Sequence, residues 1–336
     1  MSRVRISIDI ASGDYGAAAT LPAALRFAAS HSDATLFLVG NQEDILPFVT
    51  PSLAETCHVV HATQVVDMDE PPVKALRRKR DSSMRKAIEL VQSQQADICV
   101  SSGNTGALMA MSHTILKTRE GISRPAIMGS FPGYKGSEVA ILDLGADVTA
   151  TAESLCQQAY LASAILGKKQ GKQPRVALLN VGHESIKGTA TVKAAHQILT
   201  EQNNINYVGF VEGNQIFFDV ADVIVCDGFV GNIVLKSCEG MATLLYQSFR
   251  DNLRQQPWFA MMNRTPLKRL LTMVFEPYST EHRNGALLIG LNGLVVKSHG
   301  NAKEQAFYHA LELAYNSVKG CDRVAYAAAS QLSVTE

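Results

Sequence analysis

Six short apolar runs in this chain end in the same way, each followed by a cluster of Gly, Asn, Asp or Ser and then by a helical pattern. The junctions are ISID with IASGDYG, ICV with SSGNTGA, VAIL with DLGADV, VALL with NVGHESIKG, VIVC with DGFVGN, and LVV with KSHGNA. Runs so rich in Val, Ile and Leu are typical of strands buried on both faces of a parallel sheet. The carboxyl ends of parallel strands share one edge, where ligands bind and helix N-termini present free N–H groups. We therefore predict an α/β enzyme with a composite anion-binding site.

Ten strands are predicted along the chain, with helical patterns between them. They cover residues 4–9, 34–39, 58–62, 98–101, 126–130, 139–143, 176–180, 207–212, 223–226 and 294–297. This alternation predicts a doubly wound, mostly parallel sheet in a single α/β catalytic domain spanning residues 1–336. Residues 241–275 break the alternation, because they carry no strand signal and show the periodicity of two amphipathic helices. We expect them to form a protruding helical hairpin inserted in the domain.

The charge balance and the apolar content limit the classes of function. Of the 336 residues 46% are hydrophobic, which suffices for a large core, and 31 basic residues cancel 31 acidic ones. Without net charge, the chain has no global attraction for nucleic acid or for an anionic membrane. Asp9 and Asp14 interrupt any signal-peptide core, no run of about 18 apolar residues occurs, and the cysteines form no ligand cluster. We expect a cytoplasmic protein with no metal, no other cofactor and no nucleic-acid partner.

The segment SSGNTGA, residues 101–107, follows a predicted strand and opens a predicted helix. In that position glycines let backbone N–H groups approach an oxyanion closely. Gly103, Thr105 and Gly106 are therefore candidates for binding phosphate or a thioester carbonyl, and Asn104 is a candidate amide donor. The segment lacks the lysine of a P-loop and the spacing of a dinucleotide fingerprint, which disfavours nucleotide binding. The alternative is an ordinary helix N-terminus capped by Asn104 or Thr105.

Other strand ends add polar and charged candidates. These are Asp9 after the first strand, Lys187 after the seventh, Asp227, Gly228, Gly231 and Asn232 in DGFVGN, and Lys297 and His299 in KSHG. A strand-end Lys or His is more often a surface or capping residue. Because parallel strands would bring all of these residues to one edge, we predict that they share a single site. Cys226 lies inside an apolar run, where a thiol is usually inert packing.

A basic run follows a short acidic stretch near residue 70. Its first five members are Lys74, Arg77, Arg78, Lys79 and Arg80, and they come after DMDE and two prolines. Such a run is either the solvated face of a helix or a docking patch for an acidic protein partner. The sequence leaves both interpretations open.

The expected hairpin is also basic. Residues 241–275 carry five Lys or Arg against one Asp, a local charge of 5 − 1 = +4 in a chain whose total is zero. The turn between its helices holds four large apolar residues, which are Trp258, Phe259, Met261 and Met262. A basic amphipathic helix with an aromatic tip is suited to contact an anionic membrane surface. The alternative is that these groups pack in a dimer interface or against the core.

Several of these segments resemble one known family. SSGNTGALM, VALLNVGHESIKG, FVEGN, DVIVCDGFVGNIVLKSCEG and GLVVKSHGNA are similar, in this order, to the PlsX family of phosphate acyltransferases of bacterial phospholipid synthesis. The resemblance implies transfer of a fatty acyl chain from acyl carrier protein to inorganic phosphate, giving acyl phosphate for a downstream glycerol-phosphate acyltransferase. It also implies a homodimer whose fold is similar to phosphotransacetylases and to isocitrate and isopropylmalate dehydrogenases.

The chain departs from the family pattern at a few positions. The family usually opens with Asp-x-Met-Gly-Gly-Asp, where this chain has Ser12 in place of the first glycine. Asp147 and Thr149 replace an Asn and an Asp, and Ser102 stands where Ala is usual. A Ser at a Gly position restricts the backbone and fills space.

The resemblance leads to a mechanism without an acyl-enzyme. Phosphate is already a competent nucleophile, so the enzyme must position it and stabilise the tetrahedral oxyanion. We expect Asn104 and Asn232 to donate amide hydrogen bonds, Lys187 and Lys297 to offset phosphate charge, and His299 to protonate or orient the departing pantetheine thiol. The product would be delivered by a cytoplasmic enzyme that associates peripherally with the membrane. The alternatives are a coenzyme-A-dependent transferase of small acyl groups and a catalytically weakened scaffolding paralogue; an isocitrate-type dehydrogenase would need metal-binding aspartates that are not visible.

Overall fold

The computed structural model describes residues 3–254, 273 and 283–320. The strands in these residues are β1 (Val4–Asp9), β2 (Ala34–Gly40), β3 (Cys57–His61), β4 (Ile98–Ser101), β5 (Ala126–Pro132), β6 (Glu138–Leu142), β7 (Arg175–Asn180), β8 (Asn206–Glu212), β9 (Val223–Val225), β10 (Ala286–Ile289) and β11 (Leu294–Lys297). They form one sheet in the order β3-β2-β1-β4-β11-β10-β5-β6-β9-β7-β8. Seven of its ten strand pairs are parallel. The prediction of a mostly parallel α/β sheet is confirmed.

Helices cover both faces of the sheet, and most begin at a capping residue that the sequence supplies. They are α1 (Ala17–Ser30), α2 (Gln42–Ile45), α3 (Pro72–Arg78), α4 (Ser83–Gln92), α5 (Thr105–Leu116), α6 (Ala152–Gln170), α7 (Ala190–Thr200), α8 (Gly228–Arg254) and α9 (Glu304–Gly320). Ser82, Asn104, Thr151 and Thr189 each accept a hydrogen bond from a first-turn N–H group of the helix that follows. These short polar side chains satisfy N–H donors that have no partner within the helix.

The two halves of the sheet run in opposite directions. The first half, β1 to β4 with β11, is parallel throughout, and so is the second half, β6 to β9. Between them β10 pairs antiparallel with β11 and β5, and β5 pairs antiparallel with β6. The carboxyl ends of the strands therefore lie on opposite sides of the sheet. We call the carboxyl ends of β1, β4 and β11 the first-half edge and those of β6, β7 and β9 the second-half edge, and the expectation of one shared edge is wrong. The reversal arises at β10, a strand that was not predicted and that forms a hairpin with β11.

The core explains how a helix of the second half can reach the first. On one face a single apolar cluster runs under both halves and includes Leu108 of α5 and Ile224 of β9. On the other face each half has its own cluster, with Phe307 of α9 in one and Leu155 of α6 in the other. Val234 of α8 packs against the shared cluster. α8 therefore lies on the face that the two halves have in common.

α8 is longer than the sequence led us to expect. It runs unbroken over 27 residues, about 40 Å at 1.5 Å per residue, so the first helix of the expected hairpin continues the helix that begins at DGFVGN. Its later turns expose Met241, Leu244 and Leu245, each more than half accessible. Trp258, Phe259, Met261 and Met262, the expected tip, lie outside the described residues. Within the described residues no helix is long and apolar enough to cross a membrane.

Candidate active site

Asp9 lies under the edge of the first half and ties two loops together. Its carboxylate accepts hydrogen bonds at Oδ2 from the hydroxyls of Ser12 and Ser101, the latter at 2.7 Å. Its Oδ1 is buried and has no hydrogen-bond partner in the part of the chain that the structure describes. Burial raises the pKa of Asp9, while the serine hydrogen bonds and the charge of Lys297 lower it. Because Asp9 is fully buried, we revise its expected substrate contact to a role in holding the site loops.

Lys297 ends β11 beside this carboxylate. Its Nζ donates to the Ser298 carbonyl and lies 3.5 Å from the Ser102 carbonyl. Burial lowers the pKa of Lys297 to about 8, against the negative charges of Asp14 and Asp9, which raise it. A partly buried cation therefore sits over the loop that opens α5, where it can attract an anion.

Asn104 does not present a free amide. Its Oδ1 accepts from the Ala107 N–H at 3.0 Å, and its Nδ2 donates to the carbonyls of Met68 and Glu70 at 2.8 and 3.0 Å. The side chain thus caps α5 and fastens residues 68–70 over the loop, which matches the capping alternative. Among the described residues, the backbone N–H groups of Thr105 and Gly106 in this loop have no internal partner, and the Thr105 side chain is exposed. These groups can bind an oxyanion.

Three of the predicted site glycines donate their N–H groups to acceptors within the protein. The Gly103 N–H donates to the Ser101 hydroxyl at 3.1 Å, and the N–H groups of Gly228 and Gly231 donate to the carbonyls of Asp147 and Asp227 at 2.8 and 2.9 Å. A Cβ on Gly231 would lie 1.9 Å from the Asp143 carbonyl oxygen. These glycines are needed because the chain passes too close for a side chain, and we revise their role from ligand binding to packing.

Asp143 organises the edge of the second half, directly after β6. Its two carboxylate oxygens accept hydrogen bonds from the N–H groups of Ile127, Gly145, Ala146 and Asp147. Burial raises the pKa of Asp143, and these four N–H groups lower it. Asp147, one of the departures from the family pattern, pairs with Arg124 at 3.2 Å. The loop so formed supports the start of α8.

Asn232, in the first turns of α8, has an uncommitted amide. Asp227 caps the helix by accepting from the Val230 N–H at 2.9 Å. The half-buried Asn232 side chain lies beside Gly145 and makes no hydrogen bond within the described residues. An amide held by packing but left without a partner is suited to donate to a ligand.

One face of α8 carries polar residues from the second half to the first. Asn232, Lys236 and Glu239 are spaced i, i+4 and i+7, which aligns them on one face over about 10 Å. Glu239 Oε1 lies 3.1 Å from Nε2 of His299, which follows β11. This contact joins the two halves at the first-half edge. Glu239 does not stand at a strand end, so the strand-end motifs do not indicate it, although its spacing from Asn232 along a helix is a usable signal.

Lys187 pairs with a neighbour in its own loop and not with the other predicted site residues. It lies in the exposed loop after β7, where its Nζ pairs with Glu184 at 2.9 Å, and the hydrogen bond and charge of Glu184 raise its pKa. No described contact joins it to Asn104, Asn232, Lys297 or His299, so its part in a common site stays a prediction.

The basic run divides into paired and unpaired members. Lys74 lies 3.9 Å from Glu70, and Lys79 lies 3.6 Å from Glu70 and 3.8 Å from Asp67. By contrast Arg77, Arg78 and Arg80 are exposed and form no ion pair within the described residues. α3, which carries the first two of these arginines, packs against α5. These arginines therefore lie on, or just after, a helix that packs against α5.

Burial makes Cys226 unsuited to act as a nucleophile. Its thiol lies against the Asp143 carbonyl, and burial, together with the charges of Asp227 and Asp143, raises its pKa. A thiol in this environment is a poor nucleophile at neutral pH.

Comparison with known proteins gives the family. A family model described as fatty acid synthesis protein matches residues 4–321. The phosphate acyltransferase of Coxiella burnetii is 46% identical over 316 residues, covering 91% of each chain. That of Pseudoalteromonas atlantica is 45% identical over 317 residues, covering 93% of this chain and 92% of the relative.

Solved structures share the fold at much lower identity. A phosphotransacetylase from Streptococcus pyogenes has a TM-score of 0.62 at 17% identity, covering 94% of each chain. A putative 4-hydroxythreonine-4-phosphate dehydrogenase from Salmonella typhimurium has a TM-score of 0.56 at 13% identity, covering 94% of this chain and 100% of the other. At such identities the likeness shows the fold alone, and it confirms the expected kinship with phosphotransacetylase and dehydrogenase-like folds.

Proposed function

Because the chain belongs to the phosphate acyltransferase family and is an enzyme of that class, we propose that it moves a fatty acyl group from acyl carrier protein to inorganic phosphate. The product is an acyl phosphate, which a glycerol-phosphate acyltransferase consumes in phospholipid synthesis. The observation that carries this proposal is the identity of 44 to 46% with curated phosphate acyltransferases over more than nine-tenths of the chain. Acyl transfer to phosphate follows from the family, and the donor and product are the proposal.

The first-half edge supports phosphate binding. The free N–H groups of Thr105 and Gly106 open α5, and helix N-termini favour anions. Lys297 adds a partly buried cation within reach of the same loop. Phosphate bound here would be desolvated and held for attack, which is the main contribution that positioning can make to this reaction.

The polar face of α8 supports the acyl donor. We place the thioester carbonyl between Asn232 and His299, where the Asn232 amide donates to the oxyanion as the phosphate oxygen attacks. The C–S bond then breaks, and His299 protonates the departing pantetheine sulfur. The overall proton balance is closed, because hydrogen phosphate loses the proton that the thiol gains. Lys236 lies between Asn232 and Glu239 on the same face of α8, and its positive charge offsets the negative charge that develops on the oxyanion.

The unpaired arginines support a carrier-protein donor. Acyl carrier protein is acidic, and Arg77, Arg78 and Arg80 give a positive surface beside α5 that coenzyme A alone would not require. We narrow the proposed docking patch to these three residues, because Lys74 and Lys79 are already paired with Glu70.

Membrane delivery and dimer formation extend the proposal to residues 241–275. The exposed Met241, Leu244 and Leu245 of α8 suit contact with a second copy of the chain. The apolar tip predicted from the sequence, with Trp258 and Phe259, suits transient contact with an anionic membrane surface, where a lipid-soluble acyl phosphate is used. The enzyme would then act as a cytoplasmic homodimer that associates peripherally with the membrane.

One assay tests the donor and the product together. Purified enzyme is given palmitoyl-carrier protein with and without phosphate, and free carrier protein and acyl phosphate are measured. We expect phosphate-dependent release with equal amounts of both products. Acetyl-coenzyme A is the control substrate; preference for it would favour the small-acyl alternative. Absence of turnover with either donor would favour the scaffolding paralogue.

A further inference from the structure

We infer that Glu239 is a positioning residue for His299, with its carboxylate holding the imidazole Nε2–H so that Nδ1 is left to serve the departing sulfur. This inference rests on the proposed function for its chemistry, but the pairing itself can be measured without substrate. It assigns a role to a residue of α8 that the strand-end motifs do not contain.

The pair is built from both halves of the sheet. Glu239 Oε1 and His299 Nε2 lie 3.1 Å apart, with side chains 28% and 36% exposed. Glu239 comes from α8, which starts at the second-half edge, and His299 follows β11 in the first half. A carboxylate 3.1 Å from the ring nitrogen, with both side chains half-buried, restrains the ring more firmly than an ion pair fully in water would.

The backbone of His299 is fixed independently. Its N–H donates to Oδ1 of the buried Asn284 at 2.9 Å. Nδ2 of Asn284 donates to the Ser298 hydroxyl at 2.7 Å and to the Ala306 carbonyl at 2.9 Å, both buried. The Cα position of His299 is therefore set by the β10–β11 hairpin and α9, and Glu239 sets the remaining freedom, which is the rotation and tautomer of the ring.

A carboxylate acceptor on one ring nitrogen determines which atom does the proton transfer. If Nε2 carries the proton that Glu239 accepts, Nδ1 is the atom that gains and gives protons. During the reaction Nδ1 takes the proton that hydrogen phosphate loses as its oxygen attacks the carbonyl carbon, and gives that proton to sulfur as the C–S bond breaks, so the ring returns to its starting tautomer. The Glu239 carboxylate takes no part in the proton transfer, and its negative charge stabilises the imidazolium that forms between the two steps. The charged groups on the elements that meet here are Lys297 at the end of β11, Asp14, whose N–H donates to the Gly300 carbonyl, and Lys236, three positions before Glu239 on α8.

The test uses Glu239→Gln in the full-length protein, with Glu312→Gln as the matched control. Glu312, on α9, also pairs with the Nε2 of a half-buried histidine, His31 at the end of α1, at 3.4 Å. Selective ¹⁵N-histidine labelling reports the protonation of each ring nitrogen, and His299→Ala identifies the signals. We expect the wild type and the control to show His299 with protonated Nε2, and Glu239→Gln to show a mixture of tautomers.

Kinetics separate a positioning role from a merely structural one. We expect Glu239→Gln to lower kcat for palmitoyl-carrier protein about tenfold or more while leaving the KM for phosphate within twofold. Because Glu239 acts through His299, the double variant Glu239→Gln/His299→Ala should be no slower than His299→Ala alone. An unchanged tautomer in Glu239→Gln, or multiplied losses in the double variant, would overturn the inference. If wild-type enzyme shows no phosphate-dependent release, the proposed function fails, and the ring measurement still decides the pairing.

Discussion

The two halves of the sheet each place a buried aspartate at a strand end, and the two carboxylates are satisfied in different ways. Asp143 in the second half accepts four backbone N–H groups through both oxygens. Asp9 in the first half accepts two serine hydroxyls through one oxygen, leaves the other without a partner and faces the cation Lys297. The second-half edge is thus fixed by the main chain. The first-half edge depends on side chains and on charge, which suits it to bind and release an anion.

The largest effect should come from filling the close contact that supports α8. Gly231→Ala would set a Cβ 1.9 Å from the Asp143 carbonyl oxygen, so we expect destabilisation of about 3 kcal/mol or loss of folded protein. The control is Gly240→Ala on the same helix, where no atom of the described residues lies within 4 Å of the added Cβ and helix propensity favours alanine by about 1 kcal/mol. Urea unfolding followed by circular dichroism measures both. Equal stability of the two variants would refute the packing role of Gly231.

The two aspartates should respond differently to the same change. In Asp143→Asn the amide NH₂ must face N–H donors whichever way it is turned, so we expect a loss of about 2–3 kcal/mol. In Asp9→Asn the NH₂ can take the place of Oδ1, which has no hydrogen-bond partner, so the free energy of unfolding should change by less than about 1 kcal/mol. Denaturant titration at pH 7 gives both values. A larger loss of unfolding free energy in Asp9→Asn than in Asp143→Asn would contradict the proposed difference between the two aspartates.

Lys297 should give the first-half edge a pH dependence. A lysine is cationic below its pKa, and that of Lys297 is lowered to about 8, so the cation is present at pH 7 and is lost as the pH rises above 8. We expect the KM for phosphate to rise up to tenfold per pH unit beyond that point. Lys297→Arg keeps its charge throughout this range, so its phosphate KM should stay flat. If the phosphate KM of the wild type and of Lys297→Arg depended on pH in the same way, Lys297 would have no role in phosphate binding.

The smallest effect should lie outside both edges, on the docking patch. Reversing Arg77 and Arg78 to Glu should raise the KM for acyl carrier protein several-fold at low salt and weaken its salt dependence, since rim charges act mainly on association and are screened within about 10 Å at 0.1 M salt. The phosphate KM should not change. Lys172→Glu/Lys193→Glu, on the second half, is the charge-matched control. A similar rise in that control would show a global charge effect.

The sequence analysis found ten of the strands that the structure contains, because buried parallel strands are continuous apolar runs with turn residues at their ends. It missed β10, whose run ALLI is short and stands four residues before another apolar run, and with it the reversal of direction between the halves. The motifs correctly predicted loops at the ends of strands, but they did not show what each side chain or N–H group in those loops does. Asn104 is a helix cap, as its alternative interpretation held, and Gly231 is a packing position, since such roles depend on contacts between distant segments. Glu239 went unnoticed because its partner His299 is 60 positions away in the chain.

The central claim is that the first-half edge and the face of α8 form one acyl-transfer site, and Asn232 is the residue on which this claim depends most. The most direct measurement is kcat of Asn232→Ala with palmitoyl-carrier protein at saturating phosphate. The control is Asn252→Ala, an exposed position on the same helix whose amide donates to the Ser248 carbonyl. Loss of one oxyanion donor should lower kcat about a hundredfold or more, with Asn252→Ala equal to wild type. Wild-type turnover in a folded Asn232→Ala protein would contradict the account.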